Sequence, residues 1–81
     1  MNIKVLGPGC ANCQRLTQLV YEALEDLGME ATIEKVTEYV QIMKYDILGT
    51  PGLLVDGKVV SARRIPRREE IRAWLQAAQK A

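Results

Sequence analysis

Two cysteines, Cys10 and Cys13, are the residues of this chain with the clearest capacity for chemistry. They are the only cysteines among 81 residues, and they follow a Gly-Pro-Gly sequence at residues 7–9. A Cys-X-X-Cys pair can form half of a zinc site, carry a soft metal ion, or open and close a disulfide. These three kinds of site require different partners elsewhere in the chain.

The placement of the pair favours a reactive thiol. Apolar residues take helical spacing from Leu16 to Leu27, and we expect this helix to begin directly after residue 9. Cys10 would then lie where unpaired N–H groups and the helix dipole favour a thiolate, which lowers such thiol pKa values to about 3.5–7.5. Cys13, one turn later on the same side, could reach bonding distance. The spacing suits a reversible bond between one exposed and one sheltered sulfur.

Composition narrows the possible functions. The chain has no histidine and no third cysteine, which disfavours a closed zinc site. Its net charge of +1, from 11 basic and 10 acidic residues, offers no field that would attract nucleic acid. No apolar run approaches the length of a membrane span or a secretion signal, so we expect a cytoplasmic protein in which structural disulfides are rare. A length of 81 residues predicts one small domain over residues 1–81, and the 48% of apolar residues predicts that it is globular.

The first half of the chain predicts a β-α-β unit. An apolar run at residues 3–6 predicts a buried strand, and Gly28 is placed to end the following helix. Alternating apolar and polar residues at 29–35 predict a half-exposed second strand. The two strands should be parallel, because a helical crossover joins them.

The second half predicts a short helix, a hairpin and a final helix. Thr37 is a candidate N-cap for a helix over about 38–45, with apolar residues expected to face inward. These inward residues are Val40, Met43 and Ile47. Asp56-Gly57 predicts a two-residue type I′ turn between two apolar strands. Pro66 is expected to begin the last helix, whose apolar stripe is Ile71, Trp74, Leu75 and Ala78.

This order of elements and two motifs resemble the thioredoxin superfamily. Residues 45–60, YDILGTPGLLVDGKVV, resemble its cis-proline segment and following hairpin, and residues 10–13, CANC, resemble its redox motif. The resemblance covers essentially the whole chain and is greatest to short thioredoxin-like or glutaredoxin-like proteins. It implies an α/β, minimal thioredoxin-like fold, β-α-β-α-β-β-α, with a four-stranded mixed sheet and helices on both faces.

The resemblance also implies a role for individual residues. Cys10 would be the attacking thiolate and Cys13 the resolving thiol of a thiol-disulfide oxidoreductase. Thr50 and Pro51 would be joined by a cis peptide bond beside the cysteines. The residues expected to bind substrate are Gly9, Thr50, Pro51 and Gly52. The implied partners are disulfide-bearing target proteins and an electron-donating reductase, with no nucleic acid or membrane; the protein would be a monomer needing no metal or organic cofactor.

Three positions depart from the pattern of the superfamily. Gly9 stands where thioredoxins carry an aromatic residue before the first cysteine. Lys4 replaces an acidic residue buried on the preceding strand, and we expect its side chain to point to solvent rather than to assist the thiolate. The glycine-rich signature with which glutaredoxins bind glutathione is absent at residues 61–64, which argues against glutathione as the preferred reductant.

Two alternatives remain open from the sequence. A soft-metal carrier for copper, zinc or arsenic could use the same cysteine pair, although such carriers place a strand where the helix over 38–45 is predicted. The basic cluster of Arg63, Arg64, Arg67 and Arg68 is either an ordinary solvated surface or a docking patch for an acidic reductase or target.

Overall fold

Seven elements follow in the order β-α-β-α-β-β-α in the computed structural model, which describes residues 1–9, 11–45, 47 and 49–80. The strands are β1 (Asn2–Leu6), β2 (Thr32–Val36), β3 (Gly52–Val55) and β4 (Lys58–Ala62). The helices are α1 (Ala11–Leu27), α2 (Tyr39–Ile42) and α3 (Arg68–Lys80). Over these described ranges, no helix is long and apolar enough to cross a membrane.

The four strands form one mixed sheet in the order β2-β1-β3-β4. β1 is parallel to β2 and antiparallel to β3, and β3 is antiparallel to β4. β1 is therefore a central strand with both faces covered, and it contributes Ile3 and Val5 to the core on one face and Leu6 to the core on the other. The predicted α/β class with a four-stranded mixed sheet is confirmed.

The larger part of the core lies on the face of the sheet covered by α1 and α3. The stripe predicted for α1 is buried here at Leu16, Val20, Ala23 and Leu24, while Leu19 and Leu27 pack at its edge. Ile71 and Leu75 of α3 complete the cluster. Both helices carry continuous apolar stripes, so they bury them against the same sheet and against each other.

The opposite face of the sheet is covered by the short helix α2 and holds a smaller cluster. Its buried residues are Leu6, Val36, Ile42 and Leu54, with Tyr45 and Ile47 packed against them. The prediction that Val40 and Met43 face inward was wrong, because these side chains are 68% and 69% exposed. α2 has only four residues, not the eight predicted, and one helical turn presents Ile42 alone to the sheet.

The end of α1 explains why β2 begins later than predicted. Gly28 has a positive φ of 63°, its N–H donates to the Glu25 carbonyl at 3.1 Å, and the Met29 N–H donates to the Leu24 carbonyl at 3.0 Å. This pair of bonds is a Schellman cap, so the Met29 N–H is used by the end of the helix and not by the sheet. The strand predicted over 29–35 is therefore observed at Thr32–Val36.

The hairpin between β3 and β4 turns at the predicted residues. Asp56 and Gly57 have φ angles of 51° and 83°, as a type I′ turn requires, and Val55 pairs with Lys58 across it. The turn is also joined to β1, because the Asp56 N–H donates to the Asn2 carbonyl at 2.7 Å and the Asp56 carboxylate accepts from the Asn2 N–H at 2.8 Å.

The starts of α2 and α3 differ from the predicted ones. Glu38, not Thr37, is the N-cap of α2, and its side chain makes no capping hydrogen bond. α3 begins at Arg68, two residues after the buried Pro66. The Glu70 carboxylate accepts a hydrogen bond from the Arg67 N–H at 3.1 Å, and this return bond of a capping box sets the helix start.

Candidate active site

A glycine-containing turn connects the end of β1 to the start of α1. The Gly7 N–H donates to the Val36 carbonyl at 2.9 Å, which extends the pairing of β1 and β2 by one bond. Gly9 has a φ of 88°, where side chains are strained, although a Cβ built on it would meet no atom within 4 Å. Backbone conformation, not lack of space, explains why glycine occupies the position where an aromatic residue is usual.

Cys13 lies in the first turn of α1 and is only 5% exposed. Its sulfur packs against the backbone of Gly7 so closely that a Cβ added to Gly7 would overlap the Sγ atom. Thr17, one turn later, is also buried and donates its hydroxyl to the Cys13 carbonyl at 3.0 Å. Cys13 therefore has the sheltered position that the sequence predicted for the second cysteine of the motif.

Cys10, the other predicted catalytic residue, lies outside the residues that the structure describes. The described chain reaches Gly9 and resumes at Ala11, the first residue of α1. The N-terminal end of this helix thus follows Cys10 directly in the sequence.

The segment containing Thr50 and Pro51 lies beside Cys13. The peptide bond between these two residues is cis, and Thr50 is exposed. A Cβ built on Gly7 would lie 4.0 Å from the Thr50 Cβ and would overlap the Cys13 sulfur, so the three residues meet at one point. Pro51 is buried, and its carbonyl accepts a hydrogen bond from the Arg63 N–H at 3.0 Å.

Gly52 has a different environment from the other residues predicted to bind substrate. It is buried at the start of β3, where a Cβ would lie 3.0 Å from the Ile47 side chain and 3.5 Å from the Leu6 Cβ. Its lack of a side chain allows Ile47 to pack over the end of the sheet. Gly52 is therefore a buried packing position at the start of β3.

A cleft of about 210 Å³ opens beside the Cys13 sulfur. Besides residues already described, its walls include Gln14, Lys35 and Thr37, none of which the sequence pattern predicted to lie at the site. β2 brings Lys35, and Thr37 just after its end, to this edge, and only the pairing of β2 with β1 reveals their proximity to α1. A larger cavity of about 410 Å³ lies beside Trp74 at the hairpin end of the sheet and includes none of the predicted site residues.

The Lys4 side chain points neither to solvent nor to the thiolate, the two environments considered from the sequence. Its side chain is half-buried on the α2 face, where the ammonium donates to the Tyr45 hydroxyl at 2.8 Å and lies 5.3 Å from the centre of that ring. The hydrogen bond and charge interaction with Tyr45, followed by the charge of Glu34, raise the pKa of Lys4. The expectation that Lys4 points to solvent was wrong, since it anchors Tyr45 at the start of the segment that leads to Thr50.

The arrangement defines a class of protein: a small α/β fold in which the second cysteine of a Cys-X-X-Cys motif lies in the first turn of the first helix, with a cis-proline segment beside that cysteine. Known proteins agree with this class. Residues 1–76 match the family model described as "Thioredoxin domain". The chain is 42% identical over 75 residues to a thioredoxin of Methanothermobacter thermautotrophicus, covering 93% of this chain and 97% of that protein. It is 36% identical over 75 residues to a thioredoxin of Methanocaldococcus jannaschii, covering 93% and 86%.

The chain belongs to the thioredoxin family, and its activity is that of a thiol-disulfide oxidoreductase. Proteins of this kind act on disulfide-bearing targets and are themselves reduced by a reductase.

Proposed function

We propose that Cys10 and Cys13 carry out the redox reaction. The chain is proposed to be a single thioredoxin-like domain over residues 1–81 that acts as a cytoplasmic monomer. The observation that supports this most directly is the position of the Cys13 sulfur, held against Gly7 at the start of α1 with Thr50 beside it. α1 begins one residue after Cys10 in the sequence, and its unpaired N–H groups and dipole favour an anion at that end. Cys10 is therefore assigned as the thiolate that attacks.

The reaction proceeds in two exchanges. The Cys10 thiolate attacks one sulfur of a target disulfide, forming a mixed disulfide and releasing the other target sulfur as a thiolate. The Cys13 thiolate then attacks the Cys10 sulfur, which forms the Cys10–Cys13 disulfide and releases the second target thiolate. The target gains two electrons and, on protonation, two protons, and a reductase returns two electrons to the cysteine pair.

The segment at Thr50 is proposed to hold the target during these exchanges. Neither backbone group of Thr50 makes a hydrogen bond with another residue in the described part of the chain, and the residue is exposed. An extended target chain could therefore pair with Thr50 while its disulfide meets the cysteines. Gly9, at the rim of the cleft, leaves space for the approaching chain because nothing lies within 4 Å of its missing Cβ.

Trapping of the mixed disulfide tests the assignment. Cys13→Ser should accumulate disulfide-linked complexes with a model disulfide protein, because Cys10 attacks and nothing resolves the bond. Cys10→Ser, the matched variant, should trap nothing and should lose the reduction of that protein, measured by thiol release. If Cys10→Ser accumulates the complexes instead, Cys13 is the attacking cysteine and Cys10 the resolving one. If a variant lacking both cysteines still reduces the model disulfide protein, the assignment is refuted.

A further inference from the structure

The four arginines that follow β4 differ in how their charges are matched. Arg64 forms an ion pair with Glu70 at 2.7 Å. The hydrogen bond from Arg64 is the largest cause that lowers the pKa of Glu70 to about 2, and the charge of Arg67 also contributes. Arg68 pairs with Glu22 at 3.2 Å. Arg63 makes no ion pair and no side-chain hydrogen bond with any described residue, although it belongs to the same basic cluster.

Arg63 lies against the segment that leads to the active site. Its N–H donates to the Pro51 carbonyl at 3.0 Å, so its backbone is joined to the cis-proline. Its side chain covers Gly49: a Cβ built on Gly49 would lie 2.7 Å from the Arg63 Cγ, 3.3 Å from Cδ and 3.5 Å from Nε. The side chain therefore extends along the residue next to Thr50.

The backbone of Arg63 is strained. Its φ is 67°, in the left-handed region where glycine is favoured and an arginine has no intrinsic reason to occur. Strained residues that persist beside an active site are candidates for a functional role. In Arg63 the strain accompanies a particular placement of the side chain, over Gly49, which is the residue before Thr50.

We propose that Arg63 is a specificity-determining residue that binds a carboxylate of the target protein, within about two residues of the cysteine that Cys10 attacks. This inference rests on the proposed function, because it assumes that the target lies along Thr50. A guanidinium forms paired hydrogen bonds with a carboxylate, and the charge of Arg63 is not already matched by an acidic side chain of the described chain. Disulfides flanked by Asp or Glu are thus the preferred substrates.

A carboxylate fits this position better than a nucleic acid does. The nearby Arg64 and Arg68 are ion-paired and the Arg67 charge acts on Glu70, so among the described residues this rim does not carry an extended positive field. A polyanion is bound through several phosphate contacts at once, whereas one guanidinium can recognise one carboxylate.

Three disulfide peptides test the proposal without any reductase. They are identical except for Glu, Gln or Lys at a single position two residues from the attacked cysteine, and a second set places the change on the other side. The protein is reduced beforehand, and the rate of peptide reduction is followed by separation of quenched samples. We expect the wild type to reduce the Glu peptide of one set about threefold to fivefold faster than the Gln peptide, as for one exposed charge pair. The preference should diminish at high salt.

Variants of Arg63 and a matched control assign the preference. Arg63→Gln should bring the Glu-to-Gln ratio close to one, and Arg63→Glu should favour the Lys peptide. Arg67→Gln, which removes another exposed arginine of the cluster, should retain the wild-type ratio. Circular dichroism checks that each variant is folded, and the wild-type preference itself requires no variant.

The outcomes separate this inference from the proposed function. If the wild type reduces no peptide, the proposed function fails and Arg63 loses its role with it. If the wild type reduces all peptides at equal rates, only the inference about Arg63 is overturned. That inference is also overturned if Arg63→Gln slows every peptide by the same factor, since Arg63 would then merely support the segment.

Discussion

The two faces of the sheet differ in how much they bury and in what they support. Among the described residues, ten are buried in the cluster under α1 and α3, but only four in the cluster under α2. The larger face is aliphatic, whereas the smaller one also contains the hydrogen bond between Lys4 and Tyr45. Most of the stabilisation from apolar burial must therefore come from the larger face.

The smaller face positions the segment that reaches the active site. Tyr45 and Ile47 rest on this face, a few residues before Thr50. The larger face holds Cys13 through α1. The site is thus formed where a helix packed on the larger cluster meets a segment packed on the smaller one.

The largest expected effect is a loss of stability on truncating a core residue, and we expect this loss to be greater on the larger face than on the smaller one. Leu16→Ala removes a fully buried side chain from the larger cluster and should lower the free energy of unfolding towards the upper end of about 2–5 kcal/mol. Ile42→Ala on the smaller face should cost about 2 kcal/mol, because a one-turn helix can relax into the space. Urea denaturation measures both.

Val40→Ala is the control for the smaller face. Its side chain is 68% exposed, so the free energy of unfolding should change by no more than about 0.5 kcal/mol. Equal losses for Leu16→Ala and Ile42→Ala would show that the two faces contribute alike.

The second prediction concerns the contact between the β1–α1 turn and Cys13. Gly7→Ala places a methyl group on the Cys13 sulfur and must displace it, which should slow disulfide reduction by about a hundredfold. The rate is measured with a model disulfide, and the fraction of folded protein is checked by circular dichroism.

Gly28→Ala is the matched glycine variant at the other end of α1. Gly28 has a φ of 63° and no atom within 4 Å of a built Cβ, so the change should cost about 1 kcal/mol of stability and leave the reduction rate unaltered. If both variants reduce the disulfide at the same rate, the overlap at Gly7 does not position Cys13.

The smallest effect is a pH dependence at the start of α3. Hydrogen bonds from Arg64 and from the Arg67 N–H hold the pKa of Glu70 at about 2, below its ordinary 4.5. A lowered folded-state pKa stabilises the protein above pH 4.5, and this contribution is lost as the pH falls from about 4.5 to about 2. Glu70→Gln should therefore flatten this part of the stability profile, and high salt should reduce the difference.

Tyr45→Phe provides the contrast on the smaller face. It removes the acceptor of the Lys4 bond, but Lys4 stays protonated throughout the acid range because even the ordinary pKa of a lysine ammonium, 10.5, lies far above it. The acid part of the profile, followed by urea denaturation at several pH values, should keep the wild-type slope. A flattened slope in Tyr45→Phe, or an unchanged one in Glu70→Gln, would contradict the assignment.

Local sequence patterns predicted the elements that carry a long or characteristic signal. The stripe from Leu16 to Leu27 identified α1 because several turns repeat the same spacing, and Asp56-Gly57 identified the hairpin because few residues adopt its φ angles. The same kind of pattern misplaced Val40 and Met43, since a single turn offers too few residues to establish a period. The spacing of apolar residues predicts an element more reliably the longer the segment over which it repeats.

The sequence by itself determined the order of the elements, the spacing of the two cysteines and the family to which the chain belongs, because these depend on neighbouring residues. Only the tertiary structure decided that Gly7 contacts the Cys13 sulfur and that Lys4 binds Tyr45. It also placed Arg63 over Gly49. These contacts join residues up to about forty positions apart through the pairing of strands, and no local periodicity encodes which side chains that pairing brings together.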